Sequence, residues 1–208
     1  MDLQVVLLWL FAWLFSTTVH EAAHAFIALR GGDPTAYVGG QVTLNPIPHI
    51  QREPLGMLIL PLISLIFMGG MFGWASAPVD PYWAARHPHR AAKMALAGPA
   101  SNLGLMLLFL AGLKMMATSG MGESELGYVI LNFVFIMVRL NLMLFLFNLL
   151  PIPPLDGHEG ILLAFPEHRA PEIRQKMTQL GNFGIIIALL IMWKILPIAE
   201  NLVFRVVQ

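Results

Sequence analysis

Long apolar runs separated by short polar segments dominate the chain and predict a bundle of membrane helices. The first run covers residues 3–30, and three others cover about 91–117, 127–150 and 180–206. A helix needs roughly 20 apolar residues to cross a bilayer, and each run meets this length. We therefore expect an all-α polytopic membrane protein with about four to six membrane helices.

A further apolar run, residues 55–74, differs from the others because proline and glycine interrupt it. Pro61 lies near its middle and three glycines lie near its end. We expect this run to be re-entrant or interfacial rather than an ordinary crossing. Between helix 1 and this run, residues 35–44 contain a Gly-Gly turn flanked by β-prone residues, and they predict a small β-hairpin.

Composition fits one integral-membrane domain over 1–208, with a core at 3–165 and a C-terminal helical segment at 180–206. The chain is 57% hydrophobic and 12% charged, whereas soluble domains carry about 25% charged residues. Net charge is zero and no basic run is present, which argues against nucleic-acid binding. The absence of cysteine excludes disulfides, thiolate metal ligands and a cysteine nucleophile.

The start of the chain resembles a secretory signal in length and apolar character. A signal peptide has a positively charged segment before its apolar run. Here the only charge before the run is Asp2. We therefore expect the run to be a retained first membrane helix.

The first helix carries the sequence His20-Glu21-Ala22-Ala23-His24. Residues four apart share one face of a helix, so both imidazoles can bind one Zn²⁺ while Glu21 reaches an adjacent water. Ionisable side chains are costly in lipid, and their presence in an apolar segment indicates a functional site. A chance His-Glu-His arrangement on a surface helix is the weaker interpretation.

A catalytic zinc usually has three protein ligands, and Asp156 is the best candidate for the third. It follows the apolar run at 127–150, which is the fourth in chain order when 55–74 is counted, in a proline-rich stretch that cannot be regular helix. An ordinary Asp-Gly turn is the alternative, and the pairing with the two histidines favours the ligand. For His158 three roles stay open: a fourth ligand, a group beside the ligands, or, as we favour, a solvated loop histidine.

Three motifs in this order resemble the site-2 protease family of intramembrane zinc metalloproteases. They are the His20–His24 sequence, the sequence Gly98-Pro99-Ala100-Ser101-Asn102, and the stretch from Asn148 to Leu155-Asp156-Gly157. The resemblance covers roughly residues 3–165. The chain has no PDZ-like insert and would be a small form of the family.

The resemblance implies that His20, His24 and Asp156 bind one Zn²⁺ per chain and that Glu21 is the general base. It also implies that Asn148 lies at the active site and helps to stabilise the oxyanion. The expected function is hydrolysis of peptide bonds in or near transmembrane segments of membrane-anchored proteins. A membrane metal transporter or a metal-binding protein without protease activity is the alternative. Oligomeric state is not predicted.

Two features depart from the family pattern or lack a partner. His158-Glu159 follows Asp156-Gly157, where many members have a small residue and then Arg. Arg139 lies in the fourth apolar run, and no partner for it can be identified from the sequence.

For Asn102, a hydrogen bond between helices is favoured over a role beside the metal.

Shared ligation restricts the topology. His20 and His24 lie near the end of helix 1 and Asp156 follows the fourth run, so these ends must lie at similar depth. This requires that one of the two intervening runs, 55–74 or 91–117, does not cross, and the breaks in 55–74 favour that run. Residues 40 and 85 then lie on the same side of the membrane. That side carries most of the basic residues: Arg30, Arg52, Arg86, Arg90, Arg169, Arg174 and Lys176.

The positive-inside rule then orients the protein in its membrane. We expect a multi-pass protein of a prokaryotic cell membrane, with the zinc site nearer the cytosol and the N-terminus outside. The predicted strands at 37–44 are a candidate for receiving an unwound substrate by strand addition. A hairpin that only packs over the site is an equal alternative.

Overall fold

The computed structural model describes residues 2–119, 124–179 and 183–206, and all regular secondary structure in these ranges is helical. Residues 180–182 of the predicted last run, together with 1 and 207–208, lie outside the described residues. The helices in chain order are α1 (Leu3–Gly31), α2 (Thr35–Val38), α3 (Pro46–Arg52), α4 (Leu60–Met68), α5 (Pro81–Arg86), α6 (Pro88–Ser119), α7 (Glu125–Leu149), α8 (Gly157–Gly160), α9 (Ala170–Thr178) and α10 (Phe183–Phe204).

Within the described residues, four helices are long and apolar enough to cross a membrane: α1, α6, α7 and α10. The prediction of an all-α integral membrane protein is confirmed. α10 is one continuous helix despite Pro197 in its interior, so the last apolar run forms a single candidate span.

The predicted β-hairpin at residues 35–44 is wrong. Residues 35–38 form α2, a turn follows at Gly39 and Gly40, and none of residues 35–44 is in a strand. The carboxylate of Asp33 accepts hydrogen bonds from the backbone N–H and the hydroxyl of Thr35. These bonds start a helical turn and outweigh the weak β preference of the following residues.

The run at 55–74 folds back on itself, so that its two ends lie side by side. A π-helical stretch, Leu55–Ile59, leads into α4, and the segment Leu55–Phe67 is bent by 111° from α3. The chain then runs back, and the Trp74 N–H donates to Gly56 O at 3.2 Å. An ideal Cβ on Gly56 would lie 2.2 Å from Trp74 O, so glycine is needed for this close return.

Both ends of the segment between α1 and α6 meet at Gly31, the last residue of α1. Its carbonyl accepts hydrogen bonds from Trp83 Nε1 at 3.1 Å and from an Arg90 guanidinium nitrogen at 3.2 Å. The segment therefore begins and ends at the same end of the bundle. α6 is antiparallel to α1, and α7 is parallel to α1. The C-terminal ends of α1 and α7 therefore lie at the same end of the bundle, as shared ligation by His20, His24 and Asp156 requires.

Two apolar clusters hold the central helices together. One joins α1, α4 and α7 around Trp13, Leu65 and Met137, and the other lies between α6 and α7 around Met106 and Val138. α10 packs mainly on α7, and most of its side chains are exposed. This exposed apolar surface suits contact with lipid, where no hydrophobic force opposes it.

An ion pair joins α10 to α7 and provides the partner that the sequence did not identify for Arg139. The Arg139 Nε donates to Glu200 Oε1 at 2.7 Å. The guanidinium is half exposed and the carboxylate is mostly buried. Apolar contacts of Ala188 with Ile152 and Leu155 support the other end of α10.

Candidate metal centre and active site

α1 presents three ionisable side chains to the interior of the bundle. His20, Glu21 and His24 are each about 5–6% exposed. The side chain of Asp156 approaches from the turn before α8. The prolines that precede Asp156 break the helix after α7 and direct the chain back across the end of α1.

Three candidate ligand atoms lie within 3.4 Å of one another. His20 Nε2 is 2.9 Å from His24 Nε2 and 3.0 Å from Asp156 Oδ2, and His24 Nε2 is 3.4 Å from the same oxygen. Zinc–nitrogen bonds of about 2.0–2.1 Å in a tetrahedron separate the ligand atoms by roughly 3.3 Å. The donor set and its spacing therefore fit a zinc ion.

Both imidazoles are oriented through their other ring nitrogen. His24 Nδ1 donates to Met94 O at 2.8 Å, and His20 Nδ1 lies 2.5 Å from Asn102 Oδ1. Histidines that bind a metal usually donate the second N–H to such an acceptor. With both protons on Nδ1, the two Nε2 lone pairs face each other, and a cation, either a proton or a metal ion, must lie between them.

Asp156 contributes a negative charge to this cluster. Burial alone would raise the pKa of its carboxyl, but the charge of His24 and the hydrogen bonds with both histidines outweigh burial and lower the pKa. Asp156 is therefore a carboxylate at neutral pH, which is the form that binds a metal.

Gly98 on α6 leaves room for the two imidazoles. An ideal Cβ on Gly98 would lie 2.3 Å from His24 Nε2, 2.4 Å from His20 Nε2 and 2.6 Å from His20 Cε1. These distances are far below van der Waals contact. Any side chain at this position would collide with both rings and displace the candidate ligand atoms.

Glu21 lies beside the ligand atoms without joining them. Its carboxylate is within 4.8 Å of both histidine ligand atoms, but within the part of the chain that the structure describes it forms no ion pair with either. Its buried Oε2 also has no hydrogen-bond partner there. The shorter contacts of Asp156 favour that residue as the third ligand and leave Glu21 available for proton transfer.

A cavity of about 740 Å³ opens onto this cluster. Its walls come from α1, α6, the end of α7, residues 73–79 and the turn that holds Asp156. Asn148 lines the cavity, and its Nδ2 donates to Leu144 O at 3.1 Å. One N–H of this amide remains for another acceptor.

His158 and Glu159 also line the cavity. The His158 Nδ1 donates to Leu155 O at 2.7 Å, and the side chain is 22% exposed, so this histidine is partly enclosed and its role stays a prediction. Arg174 of α9 holds Glu159 with two hydrogen bonds of 2.7 and 2.8 Å, and it also donates to Ala84 O. These bonds tie α9 to the turn that follows Asp156.

Sequence reasoning did not connect Gly98 with the two histidines, and it underestimated Asn102. Gly98 and Asn102 are four residues apart, as are His20 and His24. Two antiparallel helices with the same spacing can match residue for residue, and this match is the signal that could have linked the two motifs.

Known proteins resemble the chain along most of its length. A model described as Peptidase family M50 matches residues 114–192, which include α7 and Asp156. The protein named "Putative zinc metalloprotease YwhC" of Bacillus subtilis is 39% identical over 187 residues, which are 86% of this chain and 76% of that protein.

Two mycobacterial proteins, each named "Putative zinc metalloprotease Rip2", show weaker similarity. The one from Mycolicibacterium smegmatis is 30% identical over 90% of this chain and 67% of its own length. The one from Mycobacterium tuberculosis (strain ATCC 25618 / H37Rv) is 32% identical over 86% of this chain and 64% of its own length. No solved structure shows significant similarity to the chain.

Proposed function

Because the chain belongs to peptidase family M50, we propose that it is an intramembrane zinc metalloprotease of the site-2 type. The observation that carries this proposal is the convergence of His20, His24 and Asp156 within 3.4 Å. Beside them lies Glu21, whose buried Oε2 has no hydrogen-bond partner among the described residues. A site that only binds a metal needs the three ligands alone. A buried carboxylate next to them has a chemical use in hydrolysis.

We assign one zinc ion per chain to His20, His24 and Asp156. When bound, zinc makes water nucleophilic at neutral pH and polarises a carbonyl group. The histidines contribute their Nε2 lone pairs, and Asp156 contributes a negative charge. Gly98 leaves room for both imidazoles.

Glu21 is the general base in this proposal. Its carboxylate accepts the proton of the attacking water and then delivers it to the leaving amine. Its low exposure keeps competing bulk water away from the transferred proton. Asn148 is the oxyanion donor, through the amide N–H that is not bonded to Leu144 O.

The substrate is a membrane-anchored protein with a locally unwound segment, because helical hydrogen bonds and side chains shield a peptide bond. Residues 71–80 border the cavity without helix or strand. The backbone N–H of Phe72 donates to Ser64 Oγ in α4, and that of Trp74 donates to Gly56 O in the π-helical stretch. Among the described residues, those of Gly73, Ala75 and Ala77 have no partner, so this segment replaces 37–44 as the candidate for strand addition.

The excess of basic residues at the end of the bundle that holds the site supports a cytosolic position for it. In this orientation the N-terminus lies outside a prokaryotic cell membrane. Water reaches the ligands through the cavity past Pro154 and His158.

The experiment that tests the proposal compares the wild-type chain with Glu21→Gln. Purified proteins are assayed for bound zinc and for cleavage of model transmembrane peptides. We expect one zinc in both, with cleavage by Glu21→Gln reduced about 10²–10⁴-fold. Glu125→Gln, at the exposed start of α7, is the matched control and should cleave like wild type.

A metal transporter or a metal-binding protein without protease activity is the second candidate, because ionisable residues in membrane helices also form ion pathways. Equal activity of Glu21→Gln and wild type would contradict the protease and favour this candidate. Absence of zinc from the wild-type chain would contradict both.

A further inference from the structure

A chain of buried hydrogen bonds runs from His20 across three helices. His20 Nδ1 lies 2.5 Å from Asn102 Oδ1, and Asn102 Nδ2 donates to Asn141 Oδ1 at 2.9 Å. Asn141 Nδ2 in turn donates to Met137 O and to Ser16 Oγ, each at 2.9 Å. Asn102, Asn141 and Ser16 are fully buried, so water does not compete for these bonds.

The direction of this chain is fixed at its far end by the backbone of α7. A carbonyl oxygen can only accept, so the Asn141 group that faces Met137 O must be its amide NH₂. The Asn141 oxygen then faces Asn102 and accepts from the Asn102 NH₂ group. The remaining oxygen of Asn102 faces His20 and accepts from it.

This order of donors and acceptors sets the tautomer of His20. An acceptor at Nδ1 requires the imidazole proton to be on Nδ1, which leaves a lone pair on Nε2. Nε2 is the atom that lies 2.9 Å from His24 Nε2 and 3.0 Å from Asp156 Oδ2. A flipped Asn102 amide would present NH₂ to His20 and favour the proton on Nε2, where it would block a metal.

We propose that Asn102, held in one orientation by Asn141, is a positioning residue that prepares His20 to bind the metal. The inference rests on the proposed function, because it assumes that the His20 cluster binds zinc. Asn102 touches neither metal nor substrate. It acts through the ring orientation and tautomer of His20, and Asn141 acts through Asn102.

A purely structural role is the competing explanation, since the same bonds join α1, α6 and α7. Asn102→Leu and Asn102→Asp separate the two roles. Leucine removes both the acceptor for His20 and the donor to Asn141. Aspartate keeps an acceptor for His20 Nδ1, an arrangement common around zinc-bound histidines, but loses the donor that joins α6 to α7.

The test measures zinc affinity of the full-length chain in detergent by competition with a chelator of known affinity. We expect Asn102→Leu to bind zinc about 10–100-fold more weakly than wild type and Asn102→Asp to bind like wild type. Met106→Ala, a buried change one turn further along α6, is the control for lost packing and should retain zinc affinity.

Asn141→Leu provides a second measurement if Asn102→Leu does not fold. It leaves the Asn102 amide free to flip, so we expect weaker zinc binding that Asn102→Asp restores in the double variant. Wild-type affinity in Asn102→Leu, or equal losses in the leucine and aspartate variants or in Met106→Ala, would overturn the inference. Absence of zinc from the wild-type chain would instead overturn the proposed function.

Discussion

Gly98 of α6 faces His24 of α1 so closely that an ideal Cβ on the glycine would lie 2.3 Å from His24 Nε2. We expect Gly98→Ala to lose tight zinc binding, because the methyl group would collide with both imidazoles and displace their Nε2 atoms. At a zinc concentration of about 100 times the Kd, wild type gains about 2.7 kcal/mol of stability. Gly98→Ala should lose most of this gain, as measured by thermal unfolding with and without zinc.

Gly104 provides the matched control for that change. It lies on the same helix, and an added Cβ would meet nothing within 4 Å. Alanine is favoured over glycine in helices by about 0.5–1 kcal/mol, so Gly104→Ala should be neutral or slightly stabilising and should bind zinc normally. Normal zinc binding by Gly98→Ala would show that the two imidazoles do not depend on the space that this glycine leaves.

Asp33 makes the stability of the α1–α6 connection depend on pH. Its carboxylate is buried and accepts from Thr35 and from the Asp80 N–H. Burial alone raises its pKa, but these hydrogen bonds lower the pKa below the ordinary value of 3.8. The folded state therefore prefers the charged form, and the stabilisation is present above the unfolded pKa and is lost as pH falls through the folded pKa.

Asp33→Asn should remove this dependence. The amide places an NH₂ group or a weaker acceptor opposite the Asp80 N–H, at a cost of about 1–3 kcal/mol near neutral pH. Thermal unfolding between about pH 3 and 7 should show a difference between wild type and variant that shrinks on acidification below about 3.9. A difference that stays constant over this range would contradict the role of the Asp33 charge.

The long apolar helices and the residues of the candidate site could be predicted from the sequence. The structure shows why the short helices and the contacts between distant residues could not. Apolar length alone defines α1 and α7, and spacing alone pairs His20 with His24. By contrast, α2 depends on the hydrogen bonds that Thr35 donates to the Asp33 carboxylate, which compete with local β preference. Such a competition is decided by atomic geometry rather than by composition.

Partners that are distant in sequence were also beyond prediction. Arg139 and Glu200 are separated by 61 positions, and a single sequence contains no signal that joins them. Asn102 was assigned to a hydrogen bond between helices. Its link to His20 and Asn141 appears only when α6 and α7 are in register with α1.

The return of the chain at Trp74 predicts a topology that cysteine labelling can measure, and the absence of native cysteine simplifies the experiment. Val38→Cys and Ala85→Cys should react from one side of the membrane and Ser124→Cys from the other. Val38 is 81% exposed, and it is preferable to Gly40, whose φ of +72° disfavours a side chain. Labelling of residues 38 and 85 from opposite sides would contradict a returning segment.

The ion pair between Arg139 and Glu200 predicts that α10 depends on charge as well as on apolar contact. Arg139→Leu leaves the mostly buried Glu200 carboxylate without its 2.7 Å donor, and we expect a loss of roughly 1–3 kcal/mol. The double variant Arg139→Leu/Glu200→Leu should recover much of this loss, because replacing both partners by apolar groups avoids an unpaired charge in a lipid-facing contact. Thermal unfolding of the purified proteins measures both effects, with Lys194→Leu on an exposed position of α10 as the control for added apolar surface. If the double variant is as unstable as the single one, the pair contributes through packing of the Arg139 side chain and not through its charge.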